Sequence, residues 1–418
     1  VDDGTILSEV EKLLGIEIRQ GLGAPGTDEI VDGTGGGVAG IGPTAERSDE
    51  CLHTPRKFPV KAEMVHRRSF HAVMGKTPDY TTSYCGHPPV ERRTYVNRWG
   101  SAVVEEIVLA EPRGFCAGVV RAIDAVEQAL RTYGPPIYVR RQIVHNPFVV
   151  ADLESKGAIF VEEVGDTPVR GRMIFSAHGV PPEAREAADG RKIEVVDATC
   201  PLVTKVHAEA IRYARAGKSI VLVGHEGHDE VVGTMGEAPD KIALVGSVEE
   251  ANNANVGGNP DEVAVITQTT LSVDDTAEIL ETLRTRFPRM KTPARSDICF
   301  ATQNRQDAVK ELAAKVDFVL VLGAENSSNS QRLREVAGAV GRPAYLIPSA
   351  GSIDESWFVG IERVGITSGA STPESLVDEV LQYFKDRNVE RFRTIRTVDE
   401  DVQFASAPME TPEAKRPG

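Results

Sequence analysis

Between about Val103 and Phe384, short runs of four to six apolar, often β-branched residues alternate with longer stretches in which apolar residues return every three or four positions. VEEIVLAEPRGF followed by CAGVVRAIDAVEQAL is the first such pair. An unbroken apolar run suits a strand buried on both faces, and the 3.6-residue period suits a helix laid over it, so the alternation predicts α/β layers with parallel strands. Past this region RFRTIRTVDEDVQFA predicts a closing strand, and TPEAKRPG reads as a frayed tail. The first hundred residues have another character. Only Ile6–Ile18 shows helical periodicity, amid scattered Gly, Pro, Thr and His. Such a segment has little apolar surface to offset the entropy of ordering, so residues 1–104 are expected to be a mostly disordered extension. Its glycine run Asp32–Gly42 does not fall as G-x-G-x-x-G between a strand and a helix, and is read as a flexible loop.

A chain of 418 residues exceeds one ordinary core. The net charge of −15 argues against a general nucleic-acid or anionic-membrane binder, because neutralising phosphates takes clustered Lys and Arg. No apolar run reaches membrane-spanning length and no secretory pattern opens the chain, which points to the cytoplasm. The five cysteines are too sparse and too odd in number for a disulfide framework. Cys51-x-His53 and Cys85-x-His87 do not match zinc spacings, and their thiols are expected to be dispensable.

The other three cysteines share a context. Cys116, Cys200 and Cys299 each follow an extended segment and precede a helical one, at separations of 84 and 99 residues. A second strand and polar turn then places His145, His228 and Ser327 at 29, 28 and 28 residues after the respective cysteine. A third places His178, Thr269 and Ser371 at 62, 69 and 72 residues after it. Such a domain-scale repeat predicts three similar α/β units, residues 105–199, 200–298 and 299–384, with a C-terminal segment 385–418. Ligands of parallel sheets bind beyond the carboxyl ends of the strands. Units facing one another about a pseudo-threefold axis would bring the cysteines together, ring them with polar turns, and point helix N-termini inward to hold an anion without a lysine patch.

Three converging thiolates suit a soft metal centre, either zinc or a [4Fe-4S] cluster with one iron not bound by cysteine, and residue chemistry does not choose between them. His145, His178 and His228 occupy equivalent turns facing the same presumed cavity, whereas His207 and His225 do not and are read as structural. Glu230 is the carboxylate that the repeat places there, as a candidate proton donor, with Asp229 as its rival.

At these residues the chain resembles the 4-hydroxy-3-methylbut-2-enyl diphosphate reductase family, through PRGFCAGVVRAI, VHN, SAHG, DATCPLVTKVH, GHDEVVGTMGE, TQTTLSVDDT, DICFATQNRQ, NSSNS and GAS, over about Ile107 to Phe384. The resemblance implies a cloverleaf of three α/β units around one [4Fe-4S] cluster held by Cys116, Cys200 and Cys299, with one iron open. It implies diphosphate binding by His145, His178, His228, Ser327, Ser328, Asn329 and Ser371. Glu230 becomes the proton donor, and Thr269 positions the substrate hydroxyl and its proton path. The reaction implied is reductive removal of the allylic hydroxyl, giving isopentenyl or dimethylallyl diphosphate. No nicotinamide or flavin site is recognisable, so electrons are expected from a separate ferredoxin or flavodoxin. Val120 stands where the family often has an acidic residue, and a hundred-residue extension exceeds the family core. Two rival readings are a quinolinate-synthase-like iron-sulfur dehydratase and a non-catalytic iron-sulfur sensor. The NSSNS and GHDEVVGT segments weigh against the first, and Glu230 with the acidic charge against the second.

Overall fold

The computed structural model describes residues 104–409. The 1–104 extension, with Cys51 and Cys85, therefore lies outside the described residues except for Val104. In chain order, β1 (Glu106–Glu111) leads into α1 (Ala117–Tyr133). Then come β2 (Ile137–Arg140), α2 (Pro147–Ser155), β3 (Ala158–Val161), β4 (Arg172–Phe175), α3 (Pro182–Gly190) and β5 (Glu194–Asp197). The middle third holds α4 (Pro201–Arg215), β6 (Ser219–Val223), α5 (Asp229–Gly236), β7 (Ile242–Val245), α6 (Val248–Asn253), β8 (Val263–Thr267) and α7 (Val273–Arg286). The last third holds α8 (Phe300–Ala313), β9 (Phe318–Leu322), α9 (Ser328–Ala339), β10 (Ala344–Ile347), β11 (Arg363–Ser368), α10 (Glu374–Lys385) and β12 (Arg391–Arg396).

The strands pair into three sheets, ordered β3-β2-β4-β5, β7-β6-β8 and β10-β9-β11-β1-β12. Every pairing between them is parallel. Central strands carry apolar residues on both faces, because helices cover both sides of a parallel sheet. In β6 and β8, Val221, Val223, Val263 and Val265 enter one core, while Ile220, Leu222, Ala264 and Ile266 enter another. In β9, Phe318, Leu320 and Leu322 face one core and Val319 and Val321 the other. The two-residue alternation of a strand makes this division automatic. Helix α1 buries Val119, Ala122, Ala125, Val126 and Ala129, a stripe at helical spacing, against β2 and its neighbours.

One expectation is corrected. The repeat assigned the strand before Cys116 to the first unit, yet β1 lies in the last sheet, between β11 and β12. The chain thus passes from the last sheet into the first unit at Cys116, so that every thiol stands where the chain leaves one unit's strands for the next unit's helix. Burial explains the pairing: β1 is apolar on both faces, which makes it a central strand, and the first unit's sheet ends on β3 and β5. The expected closing strand is β12, on the sheet's edge. Its arginines pair with the acidic ends of β1, Arg391 with Glu105, Arg393 with Glu106 and Arg396 with Glu111, and charge on an edge discourages further strand addition.

Candidate functional site

Beyond the carboxyl ends of these strands lies a cavity of about 690 Å³, its mouth included. Its walls bring together Cys116, Cys200, Cys299, His145, His178, His228, Glu230, Thr269, Ser327, Ser328, Asn329 and Ser371, while Asp229, the rival to Glu230, is not among the lining residues. His207 does not line it; its Nδ1 meets Glu237 at 2.8 Å.

The cysteines occupy the N-cap positions of α1, α4 and α8. Burial, with the Cys116 sulfur beside it, raises the Cys200 thiol far above its ordinary value and pushes the Cys299 thiol up to about 11. Buried thiols of this kind stay protonated at neutral pH unless a cationic centre takes the place of their protons. The space between them is kept open by Gly118, where a Cβ would lie 2.7 Å from the Cys200 sulfur and 3.9 Å from the Cys116 sulfur. Gly118→Ala should therefore lower the metal that the three thiols can hold without unfolding α1, since alanine favours the helix. Wild-type metal content in that variant would show that the space is not needed.

The same cavity is lined by three histidines. The His145 and His178 rings stack with centroids 4.0 Å apart, and the His228 ring stands edge-on to both at 5.2 and 5.9 Å. Burial lowers all three, helped at His178 and His228 by the neighbouring rings, and carries His228 to about 4. They are thus neutral without an anion beside them. His228 caps α5, its Nδ1 accepting the Glu230 backbone N–H at 3.2 Å, which leaves the ring proton on Nε2 for a ligand. The His145 Nε2 is buried without a protein partner, as expected of a group aimed at something else. Ser327 caps α9, and Ser328 and Asn329 open it. Asn329 Oδ1 accepts the Ala370 N–H at 2.9 Å, and the Ser371 hydroxyl donates to the His145 carbonyl at 3.0 Å, so the turns of the first and last units are tied together.

Glu230 lines the same cavity and is almost wholly buried. Its Oε1 accepts the Thr269 N–H at 2.7 Å and its Oε2 the Thr269 hydroxyl at 2.9 Å. Burial outweighs these two bonds, which favour the carboxylate, and pushes Glu230 up to about 7. Asp229 instead pairs with Arg141. Two neighbouring carboxyls thereby differ: Asp229 is paired with an arginine, and Glu230 is an acid able to hold a proton at neutral pH.

Several neighbours escaped the sequence reading. Thr302 donates its N–H to the Cys299 sulfur at 3.3 Å, with its hydroxyl 3.1 Å away, and Thr270 hydrogen-bonds Ser328 at 3.1 Å. Thr302 could have been found as the N3 position of a helix capped by cysteine.

Together, the fold and the cavity define a three-sheet parallel α/β protein with one thiol at the head of a helix in each unit and a cluster of polar side chains lining the same cavity. The chain belongs to the LytB protein family, whose model matches residues 107–385. It is 54% identical over 310 residues to the 4-hydroxy-3-methylbut-2-enyl diphosphate reductase of Azoarcus sp. (strain BH72), covering 74% of this chain and 99% of that one. Identity to the reductase of the same name from Streptomyces coelicolor is 51%, over 72% of this chain and 88% of that one. Among solved structures, the E-1-hydroxy-2-methyl-but-2-enyl-4-diphosphate reductase from Plasmodium falciparum matches with a TM-score of 0.69 at 36% identity, over 74% of this chain and 96% of that one.

Proposed function

We infer that the chain reduces 4-hydroxy-3-methylbut-2-enyl diphosphate to isopentenyl and dimethylallyl diphosphate, the last step of the non-mevalonate route to isoprenoids. The observation that carries this is one cavity joining three thiols, a buried carboxyl able to hold a proton and a ring of anion-seeking groups, in a chain 54% identical to a reductase of that name.

Cys116, Cys200 and Cys299 hold a [4Fe-4S] cluster, with three units disposed about it as a cloverleaf. Among the described residues, His145, His178 and Asp229 bring three candidate ligand atoms within 4.8 Å of one another. When bound, such a cluster supplies electrons one at a time and a Lewis-acidic iron. The chain's own residues do the rest. His145, His178 and His228, with the α9 N-terminus and the Ser327, Ser328, Asn329 and Ser371 side chains, hold the diphosphate by hydrogen bonds and an aligned dipole. The anion's charge offsets the burial that keeps the histidines neutral, so binding favours their protonation. Thr269 fixes the Glu230 carboxyl, and Glu230 gives its proton to the departing hydroxyl, which leaves as water. A cytoplasmic ferredoxin or flavodoxin supplies the electrons. Among the described residues no helix is long and apolar enough to cross a membrane.

The cluster-loaded chain, given a reduced viologen dye and 4-hydroxy-3-methylbut-2-enyl diphosphate without oxygen, should yield both five-carbon products by mass spectrometry. Unchanged substrate over an intact cluster would contradict the assignment. His228→Ala should weaken substrate binding by about 10- to 100-fold, the loss of one hydrogen bond to a charged group. Direct calorimetry is the check, and unchanged affinity would remove His228 from the anion site.

A further inference from the structure

Each helix that follows a cysteine carries one cation at nearly the same place: Arg121 in α1, Lys205 in α4 and Arg305 in α8, five, five and six residues after Cys116, Cys200 and Cys299. That offset is about one and a half turns, roughly 8 Å along the axis, and none of the three lines the cavity. Each reaches instead into the segment that delivers the next cysteine. Arg121 donates at 2.9 Å to the carbonyl of Thr199, the residue before Cys200. Lys205 donates to the carbonyls of Arg295 and Ser296 at 3.1 and 3.3 Å and to the Asp297 carboxylate at 2.8 Å, two to four residues before Cys299. Arg305, 1% exposed, donates at 3.2 and 2.9 Å to the carbonyl of Gly114, two residues before Cys116. The contacts run in one direction and close, from the first thiol to the second, to the third and back to the first.

Two further contacts tighten the ring. Asp297, which holds Lys205, accepts the Thr267 N–H at 2.9 Å through its other oxygen, fixing the end of β8 just before Thr269 and thus the seat of Glu230. The segment after β12 crosses two of the cations: Glu400 pairs with Arg305 at 3.0 Å, and the Ala405 carbonyl accepts from Arg121 at 2.9 Å.

We propose that Arg121, Lys205 and Arg305 are positioning residues forming a cyclic clamp, each tying the helix of one cysteine to the backbone that presents the next, so that the three sulfurs are held at cluster spacing before the cluster arrives. This rests on the reading of the cysteines as cluster ligands. General packing between units gives no reason for the cation to land next to the following thiol at all three junctions, whereas holding three sulfurs in a triangle requires one tie along each edge. Supporting groups around metal ligands are ordinarily worth 10- to 100-fold in metal affinity.

Arg121 gives the cleanest test, because its hydrogen-bond partners are two backbone carbonyls, and the nearby Asp197 carboxylate keeps its pairing with Arg185 when Arg121 is removed. In the full chain loaded with the cluster without oxygen, Arg121→Met should lose the cluster's visible absorption to a chelator at least about tenfold faster than wild type, and Arg121→Lys should restore most of the difference. The double change Lys205→Met with Asp297→Asn should act in the same direction. The electron paramagnetic resonance line shape of the reduced cluster should broaden in both neutral variants, while the iron-free Arg121→Met chain unfolds near the wild-type temperature. Neutral variants that keep the cluster as long as wild type, or a loss that only follows a lowered iron-free unfolding temperature and that Arg121→Lys shares, would overturn the clamp alone. A wild-type chain that takes up no cluster would overturn the ligand reading and the clamp with it.

Discussion

Replacing Cys116, Cys200 or Cys299 singly by serine should leave a folded chain with no intact cluster and no measurable reductase activity. The fold should survive because each cysteine is a helix N-cap, where serine is among the preferred residues, and at Cys299 its hydroxyl can take the Thr302 N–H that the sulfur now accepts. The metal centre should not survive, because serine offers a hard hydroxyl where a soft thiolate is needed, and among the described residues three cysteines line the cavity. Cys51→Ser and Cys85→Ser should behave as wild type. Iron and sulfide per chain, the visible spectrum and the circular dichroism melt separate these outcomes. If Cys51 or Cys85 proved necessary for the cluster while one of the three cavity cysteines did not, the ligand assignment would be wrong.

Glu230→Gln should retain cluster and substrate affinity while kcat falls by about 10²-fold or more, the usual range for losing a general acid. Glutamine can still accept the Thr269 N–H through its oxygen and donate to the Thr269 hydroxyl through its amide, so the local geometry has a replacement for each bond. What it lacks is the transferable proton. The wild-type pH profile follows from the same residue. A donor raised to about 7 is protonated below that pH and loses about tenfold of its acid form per unit above it, so kcat/KM should decline as pH rises through about 7. Glu230→Gln should flatten that limb. If Asp229→Asn were inactive and Glu230→Gln turned over normally, the acid would be the neighbour instead, despite its pairing with Arg141.

Much of the site was legible because the chemistry repeats. The three cysteines and the turns at His145, His228 and Ser327 recur at nearly constant offsets, and parallel sheets put such turns on one side. Glu230 could be separated from Asp229 only as neighbours pointing opposite ways; the ion pair with Arg141 that separates them joins residues 88 positions apart. The placement of β1 was not legible for a related reason. Its apolar run says that it is buried on both faces, but parallel pairing with strands more than 250 residues later leaves no local trace. Arg121 and Lys205 look like ordinary polar positions on amphipathic helices, and Arg305 like part of a polar turn of helix; only the fold shows where their side chains end. Gly118 likewise reads as a weak helix residue until the Cys200 sulfur is seen beside it.

The claim that thiols and anion pole form one reaction site is tested most directly by recording the visible and electron paramagnetic resonance spectra of the chain purified without oxygen, before and after adding 4-hydroxy-3-methylbut-2-enyl diphosphate. The account predicts a [4Fe-4S] spectrum that shifts on stoichiometric binding of the diphosphate, with the shift lost in His228→Ala at the same substrate concentration. A cluster spectrum indifferent to a diphosphate that calorimetry shows to be bound would mean that the two poles do not share a site, and would contradict it.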